Sequence, residues 1–188
     1  MEKEVVIGED ALQSIEDSHS SLVVTHGGRI QGAISSIVKY FVDRGYSGIY
    51  LSLNKPHKTV EKILKKEGVK LKKLYYIDCI TASIHNVDKD AVDSVVYLDH
   101  PEDLSQKEKI MDAVDKFAFS VPEDKFLIVD ALRTILLYHE PEIVSHLIEN
   151  LIRELQDINI KFIVLTGSEE DKSVIEAISY HFDSVLEV

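Results

Sequence analysis

The chain has 188 residues, 45% hydrophobic and 29% charged, and 21 Lys and Arg against 33 Asp and Glu leave a net charge of −12. That length suits one domain with one substantial core, the composition excludes a disordered or fibrous chain, and the negative balance opposes general DNA or RNA binding, which depends on neutralising many phosphates. A single cysteine, Cys79, excludes an internal disulfide, residues 1 to 20 lack the apolar core of a signal peptide, and no apolar run approaches the roughly 20 residues that cross a bilayer, so a cytoplasmic protein is expected.

A helix is expected over Glu9 to Asp17, docking through Ala11, Leu12 and Ile15. The first strand is LVVT, Leu22 to Thr25. It runs through His26, Gly27, Gly28 and Arg29 into a helix whose apolar face is Ile30, Ala33, Ile34, Ile37, Val38, Phe41 and Val42. Gln31, Ser35, Ser36, Lys39 and Asp43 fall on the opposite face, and Arg44 and Gly45 end the helix. GIYLSL (Gly48 to Leu53) is the next strand, followed by a basic stretch from Lys55 to Lys73 and the strand LYYIDC (Leu74 to Cys79). Thr81 to Ser105 is the least regular region, an irregular excursion or an edge strand, and contains SVVYL (Ser94 to Leu98). A helix through Ile110, Met111, Val114, Phe117 and Ala118 precedes the strand FLIVD (Phe126 to Asp130). A stronger stripe, Ile143, Val144, Leu147, Ile148, Leu151, Ile152 and Leu155, precedes KFIVLT (Lys161 to Thr166). Ser168, with Glu169, Glu170 and Asp171 after it, is the expected cap of a last helix carrying Val174, Ile175 and Ile178, and SVLEV (Ser184 to Val188) closes the chain as a strand. Most strands are continuously apolar, as strands covered on both faces must be. The expectation is an α/β domain over residues 1 to 188, built in three layers with helices on both faces of a mainly parallel sheet.

In such a sheet ligands bind beyond the carboxyl ends of the strands, where helix N-termini present free N–H groups. Those ends offer Thr25 and His26, Ser52 and Asn54, Asp78 and Cys79, Asp130, and Thr166 with Gly167. His26 to Arg29 has the outline of a phosphate loop, whose full form uses glycines for close backbone approach, a lysine on the phosphates and a hydroxyl on magnesium. Counted back from Arg44 and Gly45, the positions for the last glycine, the lysine and the hydroxyl hold Arg29, Ile30 and Gln31, and no lysine occurs between Lys3 and Lys39. Losing one charge-assisted hydrogen bond of about 1.5–3 kcal/mol weakens affinity tenfold or more. Arg29 could supply a cation from one position earlier, and Ser35 or Thr25 would have to bend toward the metal. Read without a ligand, the same residues are a flexible turn with an exposed arginine. Asp130, at the end of FLIVD, has the form of a Walker B carboxylate on magnesium; the plainer reading is a cap of a turn or of the following helix.

In order, LVVTHGGRIQGAISSIVKYFVDRGYSGIYLSLNKP, LYYIDC, FLIVDALRTILLYHEP and KFIVLTG resemble the archaeal KaiC-like branch of the RecA superfamily, from about Leu22 to Val188. Active members of that family carry a full phosphate loop where this chain has THGGRIQGA, and an acidic pair with the catalytic glutamate where it has Asn54 and Lys55. The resemblance therefore implies a RecA-like sheet, an inactivated ATPase, and a role in signal transduction or regulation. It also implies that Lys161 to Thr166 lies between the Asp130 strand and the phosphate-loop strand.

Lys55, Lys58, Lys62, Lys65, Lys66, Lys70, Lys72 and Lys73 make one segment basic, whereas Glu2, Glu4, Glu9, Asp10, Glu16 and Asp17 make the N-terminus acidic. The plain meaning is a solvated helix face; the sharper one is head-to-tail association. The eight histidines form no HExxH, and His139 and His146 could at most share a surface, so no metal site is expected. Cys79 with His26 and Asp78 could form a thiol nucleophile with a base, although a cysteine at a buried strand end is ordinarily packing. Three functions follow. The first is a non-catalytic domain without a cofactor, acting on protein partners, on itself or on active homologues. The second is a weak binder of ATP with magnesium through a vestigial site of Thr25, His26, Gly27, Gly28, Arg29, Gln31 and Asp130. The third is a small-molecule enzyme using Cys79 or His26.

Overall fold

Seven strands, all parallel, form the centre of the molecule in a computed structural model that describes residues 7–84, 93–98, 107–167 and 172–188. The strands are β1 (Ser20–Thr25), β2 (Ser47–Ser52), β3 (Leu74–Asp78), β4 (Val95–Tyr97), β5 (Lys125–Asp130), β6 (Ile160–Gly167) and β7 (Ser184–Glu187). Their lateral order is β4-β3-β2-β5-β6-β1-β7, so β6 lies between β5 and β1, as the resemblance implied. The Ser94 to Leu98 segment is an edge strand, and the closing strand is the opposite edge. The expected cap at Ser168 to Asp171, the carboxylates of Glu2 and Glu4, and most of Thr81 to Ser105 lie outside the described residues.

Side chains alternate across the strands into two cores. On one face Val23, Tyr50, Tyr76, Phe126, Ile128 and Ile163 meet α1 (Glu9–Asp17), α2 (Ile30–Asp43) and α3 (His57–Lys66). On the other, Leu22, Ile49, Ile77, Leu127 and Val164 meet α5 (Lys107–Ala118), α6 (Leu132–Leu136), α7 (Pro141–Asp157) and α8 (Lys172–Ser179). Thr81–Ile84 forms the short α4 at the carboxyl edge. This is the expected three-layer arrangement, and it places every strand-to-helix loop that could form a site on one rim.

Two details depart from the helical stripes. Ser35, on the expected polar face of α2, is buried, and so is Tyr40. α1 and α3 flank α2, so its covered arc is wider than the apolar stripe. Ile143, assigned to the stripe of α7, is 46% exposed, whereas Val144 beside it is fully buried, so the covered face of α7 begins at Val144. The α6 helix follows β5 after a cis Asp130–Ala131 peptide bond.

Candidate functional site

At the β1–α2 junction Gly27 and Gly28 have φ of +63° and +73°, a left-handed region that other residues adopt at a cost, so both glycines are required by the turn. The first turn of α2 has no acidic residue and no side-chain cap, leaving its leading N–H groups directed at the rim. The arginine does not reach over this turn. Its Nε donates to the His26 carbonyl at 2.8 Å, so Arg29 folds back on its own loop. His26 is half exposed and its Nε2 lies 3.5 Å from Glu187. Thr25 is buried, and its hydroxyl donates to the Thr166 carbonyl at 3.2 Å, committed across the β1–β6 pair rather than to the loop.

Asp130 lies two strands from β1, roughly 10 Å away in the sheet. Its carboxylate is fully buried and already engaged. Tyr50 donates to it at 2.6 Å and the Asn54 amide at 3.4 Å, while the Lys55 ammonium stands 3.6 Å away. Burial, and then the Asp130 charge, push the Tyr50 phenol well above its ordinary pKa, so it acts only as a donor. The cap of α6 is Ala131, with no side-chain cap bond, so Asp130 does not serve as the cap that its position in sequence allowed. Gln31 approaches the same Tyr50 hydroxyl from α2, but neither atom of its amide closes a hydrogen bond of normal geometry among the described residues. Gln31, Tyr50 and Asp130 thus form a line from the loop helix to the acid. Both ends of that line are legible in the sequence but Tyr50 is not, because only the pairing of β2 with β5 brings its phenol to Asp130.

A second buried acid, Asp78, ends β3. It accepts the backbone N–H of His57 at 2.8 Å, the His57 Nδ1 at 2.8 Å, the N–H groups of Ile80 and Thr81 at 2.9 and 2.8 Å, and the Thr81 hydroxyl at 2.5 Å. Burial alone would raise its pKa, but the bonds from His57 and Thr81 outweigh it and hold the carboxyl far below the usual range. Asp78 ties the starts of α3 and α4 to the sheet. Cys79, next to it, is fully buried among apolar side chains. Four strand spacings separate β3 from β1, roughly 19 Å, so Cys79 and Asp78 do not meet His26.

A cavity of about 1050 Å³ opens away from Asp130 and runs along the outer side of α2. Its floor is the small and polar face of α2, with Gln31, Gly32 and Ser35, and Gly28 at one end. Leu12 of α1 and Ile63 and Lys66 of α3 stand on either side. Ser35 is only 5% exposed, yet its hydroxyl has no partner among the described residues. No described helix is long and apolar enough to cross a membrane.

No family model and no curated protein matches the chain. Solved structures do. The KaiC-like protein PH0186 from the hyperthermophilic archaeon Pyrococcus horikoshii OT3 superposes with a TM-score of 0.62 at 15% identity, over 98% of this chain and 79% of that one. The uncharacterized protein PH0321 from Pyrococcus horikoshii, solved in complex with an unknown peptide, superposes with a TM-score of 0.59 at 16% identity, over 90% of this chain and 77% of that one. At such identities the likeness is one of fold, which is KaiC/RecA-like.

Proposed function

We propose that this KaiC/RecA-like domain has given up triphosphate hydrolysis and works through contacts with other proteins, in a regulatory or signalling role. One observation carries the reading: the Asp130 carboxylate, which would have to share a magnesium shell, is held by Tyr50 and Asn54 with the Lys55 ammonium beside it. A built-in cation beside a buried acid removes the charge a metal would need, and displacing it costs the desolvation of that acid. The loop reinforces this, with Ile30 where a phosphate-binding lysine belongs and Arg29 turned back on His26. PH0321, solved with an unknown peptide, is a precedent for polypeptide contact on this fold. Partners of this kind include active RecA-like homologues or a second copy, since basic α3 and acidic α1 lie toward opposite edges of one sheet face.

The test is a melting curve with magnesium and ATP. Binding at a concentration 100 times Kd stabilises by about 2.7 kcal/mol, a shift of several degrees. No shift at millimolar nucleotide and no turnover are expected; phosphate release that survives purification to homogeneity would end the proposal. A second reading is favoured by the positive-φ Gly27–Gly28 turn and the uncapped start of α2: weak binding of ATP or another anion without turnover. A small shift, lost in Arg29→Ala, would select it.

A further inference from the structure

At the β7 edge of the sheet the backbone is left open. Val188 directs both of its backbone groups at β1, its N–H donating to the Val24 carbonyl at 2.9 Å and its carbonyl accepting from the His26 N–H at 3.0 Å. Backbone direction alternates along a strand, so the N–H and C=O groups of Val185 and Glu187 point the other way, off the edge, and have no hydrogen-bond partner among the described residues. We propose that β7 is where a partner protein adds a further strand, an extended segment of about six residues rich in lysine or arginine. This rests on the reading that the domain works through protein contacts, and it names the surface and the chemistry of the partner.

Sheet edges are ordinarily blunted by lysine, proline, a bulge or a covering element. The sequence of β7, SVLE, has no lysine and no proline, and its register with Ser21 to Val24 runs without a bulge. Val185 is 44% exposed and the Glu187 side chain 73%, so no described element closes over the two outward residues. An incoming strand would pair backbone groups that otherwise depend on water, and Val185 would give it an apolar cross-strand contact.

Charge selects the occupant. The Ser14 hydroxyl of α1 lies 3.3 Å from that of Ser184, which sets α1 beside the start of β7. Asp10 and Asp17, four residues before Ser14 and three after it, share that flank of the helix and are exposed. Glu187 stands on the edge itself, with His26 3.5 Å away. Lys161 of β6 donates to the Ser18 carbonyl at 3.0 Å and so is held away from these acids. A second copy would bring the same carboxylates against them, and a net charge of −12 on each chain opposes that pairing, whereas a basic segment is drawn to Asp10, Asp17 and Glu187.

The experiment titrates the full chain into fluorescent peptides of about six residues that alternate valine or threonine with lysine, with glutamate or with serine, and follows their anisotropy. The lysine set is expected to bind, and the glutamate and serine sets to bind about tenfold more weakly or not at all. Val185→Pro removes an N–H that makes no bond to β1, so the sheet keeps its ladder while the lysine peptides weaken about tenfold or more. Asp10→Lys/Glu187→Lys should weaken them as much and transfer binding to the glutamate set. Amide exchange reads the unaltered chain: the Val185 and Glu187 N–H groups should exchange freely in the protein alone and slow when lysine peptide is added, which decides the matter should Val185→Pro not fold. No binding, equal binding of the three sets, or lysine peptides that bind Val185→Pro and the full chain alike overturns the proposal. Slow exchange at both amides in the peptide-free protein, with a dimer mass, gives the edge to a second copy and overturns it too. Turnover of ATP by a chain that still binds the lysine set would sink the pseudo-ATPase reading and leave the edge standing; a chain silent to both nucleotide and peptides would sink the edge alone.

Discussion

Replacing Asp78 with Asn tests how the rim is held together. The side chain keeps its shape, but a carboxylate that accepts five hydrogen bonds becomes an amide that presents donors to donors. Hydrogen bonds to a charged acceptor contribute about 1.5–3 kcal/mol each, and losses within one network are far from additive. Counting two helix starts released, at about 1–2 kcal/mol each, and one buried polar mismatch, the cost is about 3–5 kcal/mol. For a chain of this size that is a fall in Tm of roughly 10–15 °C. The pH dependence has a definite sign. Asp78 is held below its unfolded pKa of about 4, so its contribution is fully present above that pH and is lost as the pH falls through the folded value. The gap in Tm between the two proteins should therefore be flat from pH 8 to about pH 4.5 and narrow only below that. Calorimetry of both proteins across this range is the assay. A gap under about 2 °C at pH 7 would refute the network argument, and a gap closing between pH 8 and pH 6 would assign the linkage to a group other than Asp78.

Gly48→Ala should destabilise by about 1–3 kcal/mol in urea unfolding, because a Cβ there would lie 2.5 Å from the Phe126 ring and 2.7 Å from Leu74, both buried. Tyr50→Phe removes the shortest donor to the buried Asp130 and should cost about 1.5–3 kcal/mol by the same measurement; a neutral result would mean that Lys55 and Asn54 suffice. The Cys79 thiol, fully buried, should resist a thiol reagent in the native protein and react completely in denaturant, whereas rapid native labelling would revive the thiol-enzyme reading. Head-to-tail association between acidic α1 and basic α3 would give a mass that falls with added salt; one monomer mass at low and high salt removes it.

Local pattern was enough for the elements and the layers. The continuous apolar runs of LVVT, IYLSL, FLIVD and FIVL dictated doubly covered parallel strands, and the three-and-four spacing from Ile30 to Val42 dictated which face of α2 is buried. The glycine pair at Gly27 and Gly28 announced its turn, because a left-handed backbone is a property of the residue itself. Lateral order is another matter. That Tyr50 lies beside Asp130, that Lys55 reaches the same carboxylate, and that His57 folds onto Asp78 follow from β2 standing between β3 and β5, a placement no local period encodes. The burial of Ser35 and the groove above it likewise come from α1 and α3 settling on either side of α2. Periodicity reports what a segment hides, but which segments become neighbours is decided by packing over the whole chain, and the chemistry of this rim is made of such neighbours.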